Sequence, residues 1–269
     1  MQAFYLRRSC RIFPPIVAYF AALIALAWFN VIELDSASMI TSAVFACNLG
    51  VVECQWWVGH TWSLAVEEQF YLLWPLILLL VPKRAPLLIG GLVVLLVGFL
   101  IAPLEWHSNY ISFACISIGA LCAVSTKLRS AIERSANIYL WFGAGLLLVV
   151  APLYAPAKLM QLCVPFVIAY VIFSAGQLKV ARSVLSFGPL QIIAMASYSL
   201  YLWQQLFLAP PALYNQTLPF WFLPVAVFLS VMLIEKPFIA IGRRLSSAAM
   251  AKSEDKSRAP MPAANGDAT

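Results

Sequence analysis

Residues 63–82 read SLAVEEQFYLLWPLILLLVP, an otherwise apolar stretch that is interrupted by Glu67, Glu68 and Gln69. A membrane-spanning helix needs roughly 17–25 predominantly apolar residues to cross the hydrocarbon core. A charged side chain at that depth costs roughly 2.5–3.5 kcal/mol on insertion scales. The stretch therefore predicts a transmembrane helix whose polar residues have a function that offsets this cost.

The chain as a whole is strongly apolar, with 63% hydrophobic and 10% charged residues and a mean hydropathy of +0.88. Backbone amides in hydrocarbon must bond within their own segment, so apolar runs of this length predict helices. The composition thus predicts an all-α, polytopic membrane protein of about eight spans with no separate soluble domain. Besides 63–82, the runs are 12–31, 87–104, 138–153, 159–176 and 217–234, with weaker ones at 110–125 and 190–209.

The net charge of +6 reflects topology rather than nucleic-acid binding, because the basic residues cluster in short loops between apolar runs. If residues 36–60 do not cross, every second loop is basic. We therefore interpret 36–60 as an extracytoplasmic loop or half-inserted hairpin and expect both termini in the cytoplasm. The basic clusters are Arg7, Arg8 and Arg11; Lys83 and Arg84; Lys127, Arg129 and Arg134; Lys179 and Arg182; Lys236, Arg243 and Arg244.

Two domains are expected, a membrane domain over residues 1–245 and a flexible cytoplasmic tail over 246–269. The tail is rich in Ala, Ser, Lys, Pro and Asp. It can bury too little apolar surface to offset the entropy lost when a chain becomes ordered. Of the six cysteines, only Cys47 and Cys54 share an outward loop. Their spacing allows a disulfide but does not require one. No CxxC or HExxH spacing predicts a metal site.

The two adjacent carboxylates have a structural and a functional interpretation. Ser63 is a plausible N-cap, and the helix macrodipole favours a carboxylate in the first turns. Neighbouring residues, however, point about 100° apart, so both cannot lie along one wet edge. We expect at least one of Glu67 and Glu68 to face an internal polar cavity, where it binds a polar group or moves a proton.

A second polar group occurs in residues 196–208, ASYSLYLWQQLFL. Ser197, Tyr201, Gln204 and Gln205 form one stripe at helical spacing, which is also typical of hydrogen bonding between membrane helices. Tyr198 could equally be an interfacial anchor.

The third group is the basic start FYLRRSCRIFPPI, residues 4–16. Arg7, Arg8 and Arg11 are either topogenic charges or a guanidinium fork for the phosphates of a nucleotide-containing cofactor. Glu235, at the end of the last apolar run, would pair with one of these arginines or with Lys236.

Together these stretches resemble the membrane-bound acyltransferase family 3, which includes bacterial O-acetyltransferases of surface polysaccharides. FYLRRSCRIFPP is similar to the arginine-rich motif of that family, WSLAVEEQFYLLWP to its best-known motif, and SYSLYLW followed by IEKPF to its C-terminal pair. The likeness covers residues 4–245, with the motifs in the family's order.

The resemblance implies transfer of an acyl group, acetyl in the family's usual chemistry, from acyl-CoA to a hydroxyl of a glycan or lipid-linked acceptor. Acyl-CoA is then a co-substrate rather than a resident cofactor. The resemblance also implies the bacterial inner membrane, with membrane lipid as surroundings and any periplasmic partner as a separate protein. Carried over by position, Arg8 and Arg11 would contact CoA phosphates with support from Arg7, and Glu67 and Glu68 would be catalytic.

The remaining roles implied by the resemblance concern the acceptor cavity. Trp62 and Ser63 would shape its outer rim, and Tyr198, Tyr201 and Gln204 its opposing wall. Two departures affect the mechanism. The family core has ten helices, of which this chain would hold about eight, and the two absent ones, with the family's Arg and His, would precede Met1. Gln204 occupies a position where the family often has His, and Gln does not take up a proton near neutral pH.

Three functions stay open at this stage. The first is an O-acyltransferase; the second is an inactive, N-terminally truncated remnant of one, in which His60 would be a poor substitute for the family's His. The third is a transporter whose carboxylates couple ions or protons, although no internal repeat supports it.

Overall fold

The protein is described by a computed structural model over residues 2–80, 84–101, 107–154, 157–214 and 218–258. Within these ranges the chain is helical and contains no β-strand, although an isolated antiparallel bridge joins Ile32 and Tyr214. The α-helices in chain order are α1 Gln2–Trp28, α2 Ser36–Ala43, α3 Trp56–Gly59, α4 Thr61–Leu80, α5 Arg84–Ile101, α6 His107–Val124, α7 Thr126–Arg134, α8 Ile138–Tyr154, α9 Ala157–Ala175, α10 Lys179–Leu185, α11 Gly188–Phe207, α12 Phe222–Leu229 and α13 Lys236–Arg258.

The all-α membrane class is confirmed, and within the described residues most of each predicted apolar run is helical. Many large apolar side chains are exposed on these helices, among them Val94, Val149 and Leu233, as expected where lipid rather than water is the solvent. By length and composition, two described helices can cross a membrane, Gln2–Trp28 and Phe222–Ala251. The total rises to four if each of two bent helix pairs is one span. The total of about eight spans stays a prediction.

The two bent pairs are α6 with α7 and α9 with α10. The chain turns by 96° between Asn109–Val124 and Thr126–Arg134, and by 99° between Gln161–Ala175 and Lys179–Leu185. Ser125 makes the first corner because its side chain caps α7 by accepting from the backbone N–H of Leu128 at 3.3 Å. The basic residues of two predicted loops therefore lie on short helices: Lys127, Arg129 and Arg134 on α7, and Lys179 and Arg182 on α10.

Residues 36–60 do not form a span. α2 has eight residues, which is too short to cross a bilayer, and Asp35 begins it by accepting from the backbone N–H of Ser38 at 2.7 Å. These residues continue into a 3₁₀ turn, Cys47–Leu49, and the single turn of α3. These helices are too short to span a bilayer, and the placement of 36–60 as an extracytoplasmic loop or half-inserted hairpin stays a prediction.

Packing divides the chain into two compact units. Unit 1, residues 1–34 and 195–269, is built around the contact of α1 with α13. The helices approach closely at Gly242, where a Cβ would lie 2.7 Å from Cys10 Cβ. Between α12 and α13 the chain keeps one helical course through a π-helical turn, Ser230–Glu235.

Unit 2, residues 35–194, packs α5 on α6, and α6 and α8 on α9. One apolar cluster joins Ile118 and Cys122 of α6 to Ala169 of α9. α5 and α6 meet where the ring of Tyr110 covers Gly98.

The C-terminal boundary differs from the expected one. α13 continues past residue 245 to Arg258, so the first part of the expected tail is helical. Residues 259–269, and Lys83 of the predicted basic loop, lie outside the described residues.

Candidate active site

The arginine motif lies in the first turns of α1. Arg7 and Arg11 are exposed and Arg8 is half-buried. Arg7 and Arg11 are four residues apart and thus share a face of the helix. Both guanidinium groups are therefore accessible on one side of α1.

Glu235 is buried, with 3% of its surface exposed. Ser199 of α11 donates a hydrogen bond to Glu235 Oε1, and Ser199 Oγ lies 2.7 Å from Ser230 Oγ. Arg11 lies close enough to attract the carboxylate electrostatically. Lys236, the alternative partner, donates instead to Met232 Sδ at 3.2 Å. The main partner of Glu235 is therefore a serine that our sequence analysis did not select.

The tyrosine motif packs on α1. Tyr198 donates from its hydroxyl to the backbone carbonyl of Ile12 at 2.9 Å, which is a hydrogen bond between α11 and α1. Trp203 meets the fully buried Tyr19 edge-to-face, with ring centroids 5.6 Å apart. Tyr201 and Gln204 are half-buried on the same helix. The structure thus brings the arginine motif, the tyrosine motif and Glu235 together within unit 1.

The glutamate motif belongs to unit 2, on α4. Glu67 is exposed and accepts a hydrogen bond from the Tyr71 hydroxyl at 3.3 Å. Glu68 is half-buried, and its Oε1 atom is inaccessible to solvent. The neighbouring carboxylates therefore have different surroundings, which agrees with the expectation that one of them faces inward.

Trp62 and Ser63, the expected cavity rim, are half-buried in the first turn of α4. The interpretation of Ser63 as an N-cap is wrong, because the helix already begins at Thr61. Ser63 instead points back to the carbonyl of His60, with its Oγ at 3.5 Å.

His60 directly precedes α4, and both ring nitrogens are buried. Burial lowers the pKa of His60 to about 4, because desolvation disfavours the imidazolium. The ring is therefore neutral at cellular pH and is a weak proton acceptor.

A group of amides that the sequence motifs did not indicate holds the segment before α4 in place. Asn48 and Gln69 exchange two side-chain hydrogen bonds, of 3.0 and 2.9 Å, and Asn109 donates to the Asn48 carbonyl at 2.7 Å. Cys47 and Cys54 form a disulfide, with Cα atoms 5.9 Å apart. The only sequence signal was the position of Gln69 directly after the two glutamates.

The comparisons with known proteins give one match. The sequence profile of the family Acyl_transf_3, described as an acyltransferase domain, matches residues 1–234. The search of curated proteins and the search of solved structures each found no significant match. The matched range contains the arginine, glutamate and tyrosine motifs and ends one residue before Glu235. Since it also covers most of the chain, this protein belongs to the acyltransferase 3 family.

Proposed function

We propose that this protein is an O-acyltransferase that moves an acyl group, acetyl in the simplest case, from acyl-CoA to a hydroxyl of a cell-surface glycan or lipid-linked acceptor. The observation that carries the proposal is the family match over residues 1–234, which contains both the arginine and the glutamate motifs. Apolar helices and family membership support a membrane location.

The donor would bind through phosphates at the start of α1. Arg7 and Arg11 are exposed on one face, and a guanidinium binds phosphate through two parallel hydrogen bonds. Arg8 is half-buried and would support them.

The chemistry would use the carboxylates of α4. The acceptor hydroxyl attacks the thioester carbonyl, a C–O bond forms, the C–S bond breaks and the thiolate of CoA leaves. A general base must take the hydroxyl proton, which the leaving thiolate finally receives. Glu68 suits this role better than Glu67, because its Oε1 atom is shielded from solvent whereas Glu67 is exposed.

We also propose an orientation with both termini in the cytoplasm of a bacterial cell and the acceptor on the other side of the inner membrane. The alternating basic loops support it, and the Cys47–Cys54 disulfide fits an oxidising compartment for residues 36–60. Any periplasmic partner would be a separate protein.

The test uses membranes that contain the full chain and acetyl-CoA with an isotopically labelled acetyl group. We expect label in the glycan or lipid-linked fraction, a loss of about a hundredfold or more in rate with Glu68→Gln, and a rise in KM for acetyl-CoA of about tenfold or more with Arg11→Ala. Arg182→Ala and Glu53→Gln, which change exposed charges elsewhere, serve as controls and should leave both values unchanged.

Unchanged turnover in both Glu68→Gln and Arg11→Ala would remove the site assignment. No transfer by the unaltered chain would favour the inactive remnant, whereas a proton or ion flux that depends on Glu68 would favour the transporter.

A further inference from the structure

Residues 42–54 contact one side of α4, and we call them the strap. The Cys47–Cys54 disulfide closes the second half of the strap into a covalent ring. The ring contains the 3₁₀ turn Cys47–Leu49 and Gly50, whose φ of 66° is left-handed. The strap is therefore a constrained turn rather than a loose loop.

Two pairs of polar side chains fasten the strap to α4. At the start of the helix, Ser42 Oγ and Thr61 Oγ1 lie 2.8 Å apart, and both residues are buried. Two turns further along, Asn48 donates to Gln69 Oε1 at 3.0 Å and Gln69 donates to Asn48 Oδ1 at 2.9 Å. Asn48 is 8% exposed, so breaking this pair would leave buried amide groups unsatisfied.

The side chain of Gln69 also bonds to the backbone of the strap. Its Nε2 donates to the carbonyl of Phe45 at 3.1 Å. Phe45 has a φ of 55°, a left-handed conformation that costs a bulky L-residue roughly 1–2 kcal/mol. Such a conformation persists where the surroundings impose it, and the bond from Gln69 is one of those constraints.

The two fastening points determine how α4 is rotated about its own axis. At about 100° per residue, Thr61 and Gln69 lie about 80° apart, on one side of the helix. Glu67 then lies about 160° from Gln69, and Glu68 about 100° from it. This agrees with the exposure of Glu67 and the shielding of Glu68 Oε1.

We infer that Gln69 is a positioning residue: through Asn48 and Phe45 it holds the disulfide strap on α4, and it thereby sets the directions in which Glu67 and Glu68 face. A role of these directions in catalysis rests on the proposed acyl transfer. The geometric part of the inference does not.

The first test measures how well the strap is held. Detergent-solubilised full chain is treated with dithiothreitol, and the reduction of Cys47–Cys54 is followed by quenching with a maleimide that shifts gel mobility. Gln69→Leu should speed the reduction about fivefold or more, because the disulfide reacts when the strap lifts from α4. Gln191→Leu, which changes an exposed amide on α11, should match the unaltered chain. Equal rates for Gln69→Leu and the unaltered chain would overturn the inference.

An exchange of the two amides tests whether the pair itself holds the strap. Asn48→Gln and Gln69→Asn each change the combined length of the pair by one methylene, and together they restore it. Each single variant should speed reduction, and the double variant should return towards the slow rate. A double variant as fast as Gln69→Leu would show that the reciprocal pair does not hold the strap.

The second measurement concerns the direction of the carboxylates and needs no enzymatic activity. With the four free cysteines replaced by serine, Glu67→Cys should react with a small maleimide faster than Glu68→Cys, and Gln69→Leu should reduce that difference. An unchanged difference would overturn the positioning role.

The transfer assay then links direction to catalysis. Gln69→Leu should lower kcat about tenfold or more while the KM for acetyl-CoA stays the same, since the arginines lie on another helix. Unchanged kcat in a variant with a loosened strap would restrict Gln69 to a structural role. If the unaltered chain shows no transfer, the proposed function fails, while the reduction and labelling results still decide this inference.

Discussion

Glu67 and Glu68 are identical in chemistry and adjacent in sequence, yet one is exposed and the other has a shielded carboxylate oxygen. The helical rotation of about 100° per residue explains why they differ. It does not determine which of them is turned inward. That choice depends on the strap and its contacts with Thr61 and Gln69.

Glu235 provides a test of a single buried hydrogen bond. Ser199→Ala removes the hydroxyl that donates to its carboxylate, which should cost about 1–3 kcal/mol. At roughly 2–4 °C per kcal/mol for a chain of this size, the melting temperature in detergent should fall by several degrees. Ser9→Ala, an exposed serine on α1, should leave it unchanged. Equal melting of Ser199→Ala and the unaltered chain would contradict the structural role of this bond.

His60 predicts a pH dependence of stability. The pKa of its imidazole is 6.5 in the unfolded chain and about 4 in the folded one. Between these values the unfolded state binds more protons, so the free energy of unfolding falls as the pH is lowered from 6.5 towards 4. At 1.36 kcal/mol per pKa unit, the loss from this residue is roughly 3 kcal/mol.

Thermal unfolding in detergent at several pH values measures this effect. His60→Gln, which does not titrate, should show a clearly flatter dependence between pH 6.5 and 4. The same slope in both proteins would show that His60 is not responsible.

At the level of helices, the contact between α1 and α13 depends on a missing side chain. A Cβ at Gly242 would lie 2.7 Å from Cys10 Cβ, close to the backbone, where the neighbour cannot turn away. Small residues of this kind let membrane helices approach closely. Gly242→Ala should therefore separate the helices and destabilise unit 1 by about 1–3 kcal/mol.

The yield of folded protein on size-exclusion chromatography and its melting temperature measure this change. Gly119→Ala on α6 is the matched control, since nothing lies within 4 Å of its added Cβ. Gly119→Ala should have the folded yield and melting temperature of the unaltered chain. If Gly242→Ala gave the same values as Gly119→Ala, the close approach would not contribute to stability.

The short helices α7 and α10 show where patterns of charge are informative and where they are not. Their basic residues predicted loops between spans, and these residues do lie next to apolar helices. Two corners, of 96° and 99°, place these residues on separate helices. The first has a local cap, the bond from Leu128 to Ser125, whereas the residue before α10, Leu178, makes no side-chain cap bond. Charge alone carries no information about such corners.

For the whole molecule, the alternation of basic loops predicts both termini in the cytoplasm. A green fluorescent protein fused after Thr269 should fluoresce, because this reporter matures in the cytoplasm. Alkaline phosphatase fused there should be inactive, because it matures in the periplasm. Phosphatase inserted at Gly50 should be active. An active C-terminal phosphatase would reverse the proposed orientation.

The helical runs, the membrane class and the family could be read from composition and motif order. Hydrocarbon leaves an apolar segment few alternatives to a helix, and four motifs in one order rarely arise by chance. Which polar groups meet was decided by tertiary structure. Glu235 accepts a hydrogen bond from Ser199, 36 residues away, rather than pairing with Lys236. Gln69 bonds to Asn48, 21 residues away. Such pairings depend on which faces of packed helices come together, and a local pattern of residues does not contain that information.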